Sequence, residues 1–154
     1  RAGVDRRTSL ATMNAHGDET GHTDSKAAAY RARNAALPKL SVSTRSFEDA
    51  EYWSKVSQQL ARLRARGVIV VGGLPTTFDD TEIAPEALSL LRRHYADAGA
   101  CLLVLPGRSL YPRRDFYDAS YHLTEANQRR HSSLLAPRLA AVLRAGGCPD
   151  AAAP

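Results

Sequence analysis

Aromatic side chains are scarce, with three Phe, six Tyr and one Trp among 154 residues, and they are not interleaved with the basic residues. That argues against a stacking platform for bases, so no nucleic-acid partner is expected. Cysteine is limited to Cys101 and Cys148. Two thiols permit one bridge at most. Because Cys101 falls inside an expected buried strand and Cys148 in a Gly/Pro/Ala tail, a bridge is not expected. No second Cys or His stands at ligand spacing from either, which leaves no expected metal site. The Gly72–Gly73 pair lacks the spacing of a phosphate-binding loop and reads as a strand-end turn, and no cofactor is expected. No apolar run approaches the roughly 20 residues that cross a bilayer, and no signal-peptide pattern is present.

What is present suits one packed domain. Hydrophobic residues make up 44% of the chain, enough for a core at this length. The net charge of +5 comes mostly from dispersed arginine, as in Arg62, Arg64 and Arg66, with carboxylates between them. Such a pattern is usually a solvated surface and less often an anion-binding face. The chain begins at Arg1 rather than Met, which suggests a truncated or processed product.

Residues 1–23 show no sustained periodicity and read as loop. An α/β domain over 24–143 and a frayed tail over 144–154 follow. Ser25 to Leu37 reads as a short helix stopped by Pro38, and LSVST then alternates as a short strand. SFED from Ser46 resembles a capping box, and Trp53, Val56, Leu60 and Leu63 recur at helical spacing until Gly67. The apolar run Val68 to Val71 then suits a strand buried on both faces. Pro85 opens a helix striped by Leu88, Leu91, Tyr95 and Ala98 and ended by Gly99. A second apolar strand runs from Cys101 to Leu105, stopped by Pro106 and Gly107.

Strand, helix and strand in that order form a βαβ unit, so the expected class is α/β with a parallel sheet. A last helix is expected over about 124–143, with Leu134, Leu135, Leu139, Val142 and Leu143 buried and a kink at Pro137. Two firm strands make a thin sheet. An N-terminal part of the domain, or another chain, is expected to supply the rest.

The chemistry concentrates in FYDASYHLTEAN, where Asp118 and His122 stand four residues apart just before a helix start. A histidine gains and loses a proton near neutral pH, and a carboxylate can fix its tautomer and stabilise the imidazolium. In an open parallel sheet, ligands bind beyond the carboxyl ends of the strands, where the loop from Pro106 to Tyr121 lies. The helix start disfavours the cation while Asp118 favours it. No Ser or Cys stands in a strand-to-turn setting as a nucleophile, and Ser109 in PGRSLYP is only a weak substitute. A packing role for His122, with Asp118 paired to an arginine, is the alternative. His16 and His22 around Asp18 read as polar loop residues, and His94 and His131 as residues on solvated helix faces.

The segment YDASYHLTEANQRRHSSLLAPRL resembles the C-terminal block of SGNH (GDSL-type) hydrolases, in the subgroup linked to cell-surface polysaccharides. The resemblance extends over most of residues 10–143, including the βα units and MNAHGDE. It implies a flavodoxin-like three-layer α/β/α sandwich, incomplete at its N-terminus. It also implies an esterase or O-acyltransferase in which His122 is the general base and Asp118 orients it, with an acylated carbohydrate as partner. An extracytoplasmic location follows from the same resemblance. The chain departs from the family pattern in several places. Ala119 stands where the acid usually lies, three residues before His122, and Asp115 is a weaker second acid. Asn127 replaces a frequent glycine, with tolerance of unusual backbone angles as its common property. Asn14 could serve an oxyanion site, although MNAHGD is not the usual motif. The first strand with its GDS-like serine is absent, so the isolated chain is expected to be inactive. A noncatalytic module holding an anionic polymer through Arg108, Arg113 and Arg114, or completing a sheet with a partner chain, is the other expectation.

Overall fold

A computed structural model describes residues 13–15 and 20–146. Its fold is mixed α/β, with the elements in the order α1 (Asp24–Ala27), α2 (Arg31–Ala36), β1 (Ser41–Val42), α3 (Ala50–Ala65), β2 (Val71–Gly73), β3 (Thr77–Phe78), β4 (Glu82–Ile83), α4 (Pro85–Asp97), β5 (Cys101–Leu103), β6 (Leu110–Tyr111), β7 (Phe116–Ala119), β8 (His122–Leu123) and α5 (Glu125–Arg144). The expected loop over 1–23 and tail over 144–154 fall largely outside the described residues.

The βαβ expectation holds in its connectivity. β2 and β5 pair in parallel, Val71 opposite Cys101, with α4 between them in sequence. Pro85 sits at the first turn of α4, where its missing N–H costs nothing. Gly99 closes the helix at φ +68°, a left-handed conformation that disfavours any side chain with a Cβ. The α3 cap differs from expectation. Asp49 is the N-cap and its carboxylate accepts from Tyr52 N at 2.9 Å, while Ser46 lies in a 3₁₀ turn over Thr44–Phe47. An aspartate next to the first helical residue satisfies an orphan N–H and the helix dipole together, which a serine three residues earlier cannot do.

Three further strand pairs form among the described residues. β1 pairs with β4 and β3 with β6, each in parallel, whereas β7 and β8 form an antiparallel hairpin. The segment between Pro106 and Tyr121, expected as loop, therefore contributes two strands. They are too short for two-residue alternation to reveal. The short pairs gather a buried apolar cluster: Phe78 from β3, Tyr111 from β6, Phe116 from β7 and Leu123 from β8, with Leu37 against them. The Phe78 and Phe116 rings meet edge to face, centroids 4.8 Å apart. Burying such a side chain contributes roughly 1.5–3 kcal/mol.

The βαβ unit itself is less buried than its apolar runs predict. The β2 pairing begins only at Val71; Val68 and Ile69 are 44% and 39% exposed, and β5 is half-buried. α5 runs through Pro137 as one helix, and only Val142 of its expected apolar side is buried, with Leu134 and Leu143 half-exposed. Hydrophobicity sets which faces want cover, but cover requires an opposing layer, and the described residues supply little of it here.

Cys101 is disulfide-bonded, contrary to expectation. The other cysteine in the sequence, Cys148, lies outside the described residues. His94, expected on a solvated face, is half-buried. Its ring stacks on Trp53 at 4.3 Å and its Nε2 lies 3.1 Å from the Phe47 carbonyl oxygen, tying α4 to α3 and to the turn before it.

Candidate active site

The β7–β8 hairpin places both candidate residues. Asp118 lies within β7 and His122 opens β8, and the turn between them brings His122 Nδ1 to 2.7 Å from Asp118 Oδ1. Ala119 and His122 are paired across the hairpin, and a register irregularity separates that pair from Phe116 opposite Leu123. Such an irregularity re-aims side chains, and it lets residues four apart in sequence meet through their polar ends. Both side chains are about one third exposed, at 31% for His122 and 36% for Asp118. Donation from Nδ1–H to the carboxylate leaves Nε2 as the basic nitrogen.

The hairpin is anchored from behind by polar groups. Asn34, 1% exposed on α2, donates from Nδ2 to the carbonyls of Phe116 and Tyr117 at 3.4 and 3.3 Å. Arg113 fixes the chain just before β7. It forms a bidentate pair with Asp80, donates from Nη1 to the carbonyls of Asn34 and Leu37 at 2.6 and 2.9 Å, and lies 4.3 Å over the Phe78 ring. After the hairpin, Thr124 N donates to Asp115 O and Glu125 N to His22 O, both at 2.9 Å, where α5 begins.

His22 is the residue whose place the sequence did not reveal. Rather than a polar loop residue, it is 7% exposed, edge-on to the His122 ring at 4.3 Å and tilted against Tyr117 at 4.7 Å. Its isolated position in a loop carries no periodic signal, so only the fold could bring it there. His16 and Asp18 lie outside the described residues, and Asn14 is exposed.

Other candidates resolve differently. Asp115 does not hold His122; its carboxylate lies 3.9 Å from Arg114 and its carbonyl serves the start of α5. Asn127 is helical, and it donates to Thr124 Oγ1 at 2.9 Å instead of adopting unusual backbone angles. Ser109 is buried and left-handed at φ +58°, next to Arg108 at φ +51°, so the turn is sharper than expected. His131 is tied to Tyr111, Nδ1 to hydroxyl oxygen at 2.8 Å. Burial pushes the Tyr111 pKa up, against Arg130 and with some help from Asp115, and burial lowers that of His131. Both shifts favour a neutral pair.

An apolar cavity of about 620 Å³ opens beside the hairpin turn, with Ser120 and Tyr121 in its wall together with Leu74, Ile83, Leu88 and Leu91. Thr76 Oγ1 donates to Tyr121 O at 3.1 Å and joins the β2 end to that turn. Among the described residues no Ser or Cys hydrogen-bonds His122, and no cluster of His, Cys, Asp and Glu could hold a metal. No helix among them is long and apolar enough to cross a membrane. Comparison with protein-family models, curated proteins and solved structures gives no match.

Proposed function

We propose that this chain carries the acid–base half of an SGNH-like esterase or O-acyltransferase, built on an α/β/α sandwich and acting on acyl esters of carbohydrates. The observation that carries the proposal is the 2.7 Å contact between His122 Nδ1 and Asp118 Oδ1. In that role Asp118 holds the imidazole in one tautomer and stabilises its cation. Nε2 takes the proton from a serine hydroxyl as the hydroxyl attacks the acyl carbonyl, then returns it to the leaving alkoxide. The serine comes from outside the described residues. The adjoining apolar cavity suits the acyl group, and the Cys101 disulfide favours an oxidising, extracytoplasmic compartment.

The test is hydrolysis of a short-chain acyl ester by the 154-residue chain and by a longer chain containing it. Turnover is expected only in the longer chain, with His122→Ala lowering kcat by about 10³-fold or more. Undiminished turnover after that substitution rejects the assignment.

A second proposal is that the chain completes a sheet with a partner. The exposure of Val68 and Ile69 and the half-buried β2–β5 pair favour it, since parallel pairs are rarely left open. Light scattering that shows a monodisperse, folded monomer counts against it.

A further inference from the structure

Beyond acyl chemistry, a second concave site lies at the carboxyl end of β5. Leu105, Pro106 and Gly107 follow that strand and open a cavity of about 530 Å³ between β6 and α5. This is where open parallel sheets place ligands, and the volume is that of a small-molecule site. Its charge is one-sided. Arg114, Arg130 and Arg138 line it against the single carboxylate of Asp115.

Two of the arginines belong to one stripe. Arg130 and Arg138, with Leu134 midway, recur every four residues along α5 and so share a helix face. Neither forms an ion pair among the described residues. The other basic residues nearby are committed elsewhere. Arg113 is bound by Asp80 and two carbonyls, and Arg108 donates to Ile83 O at 3.4 Å.

The backbone at the rim is also unusual. Arg108 and Ser109 are consecutive left-handed residues, at φ +51° and +58°, the only non-glycine ones among the described residues. Strained conformations of this kind collect at ligand sites. Asn127 and Ser109 in its lining carry polar groups of the kind that hydrogen-bond a hydroxylated ligand. The aromatic ring present, Tyr111, is buried and bonded to His131, so it offers no face on which a base could stack.

We infer that the Arg114–Arg130–Arg138 cavity binds an anionic sugar unit, its carboxylate or sulfate held by the guanidiniums and its hydroxyls by the neighbouring polar groups. Guanidinium suits both oxyanions because its planar fork donates two parallel bonds to one group. The site stands or falls independently of His122, since it concerns binding and not turnover.

The test is calorimetric titration of the 154-residue chain at low salt with an oligogalacturonate, a sulfated oligosaccharide, a neutral dextran oligomer and a short oligothymidylate. At least one of the two charged oligosaccharides should bind, and which one does identifies the oxyanion. Arg130→Gln and Arg138→Gln should each weaken that binding about tenfold, whereas Arg62→Gln on α3 should leave it unchanged. All three side chains are exposed, so the folded state should survive, as checked by unchanged melting. Arg130→Lys, which keeps the charge but not the fork, should fall between wild type and Arg130→Gln. Failure of both charged oligosaccharides to bind, equal weakening by Arg62→Gln, or oligothymidylate binding as tightly with the same arginine dependence would each overturn the inference.

Discussion

Arg113→Met should destabilise the fold more than substitution of any other arginine among the described residues. The guanidinium meets Asp80 in three contacts of 3.0 to 3.2 Å, donates to the carbonyls of Asn34 and Leu37, and covers the Phe78 ring. Methionine keeps part of the apolar cover but leaves a carboxylate and two carbonyls without their donor. Breaking a fully buried pair costs about 3–5 kcal/mol. The side chains here are 20% and 30% exposed, so water compensates in part, and about 2–3 kcal/mol is expected. With a urea m-value of about 2 kcal/mol/M, the midpoint should fall by about 1–1.5 M. The assay is urea unfolding followed by the fluorescence of Trp53. A double-mutant cycle with Asp80→Asn should return a coupling of about 1 kcal/mol or more. A midpoint shift below about 0.3 M at unchanged m would refute the view that Arg113 ties α2 to the approach of β7.

Three other outcomes follow from local geometry. Gly72→Ala should cost about 1–3 kcal/mol in thermal unfolding, because a Cβ there would overlap the Tyr95 ring, and Tyr95→Ala should relieve most of that cost. Asn34→Ala should cost about 1–3 kcal/mol and speed amide exchange in the β7–β8 hairpin; unchanged exchange would show that Asn34 does not hold that hairpin. His131 binds its proton less readily folded than unfolded, so the unfolded chain takes up more protons as pH falls through the ordinary histidine range. Stability should therefore drop from about pH 7 toward pH 5. His131→Phe should flatten that part of the profile, and an identical slope in the variant would contradict it.

Much of the order along the chain is written in local residue properties. Pro85 and Gly99 bound α4 because one tolerates a missing N–H and the other a left-handed φ, and these are local properties. The apolar runs around Val71 and Cys101 identified the two strands of the βαβ unit, since hydrophobic content and spacing are written residue by residue. Asp118 and His122 were legible as a pair because a hairpin turn joins them within four residues.

Contacts between distant segments set the rest. His22 reaches His122 across about a hundred residues of chain, and Arg113 meets Asp80 and Asn34 from separate elements, so no spacing could announce either. Whether an apolar strand is buried was likewise not its own property: Val68 and Ile69 read as core and lie half-exposed, because burial depends on a layer that another segment must supply. The arginines divided in the same way. Arg113 became structural and Arg130 and Arg138 were left facing a cavity, since a charge is spent or available according to what the fold sets opposite it.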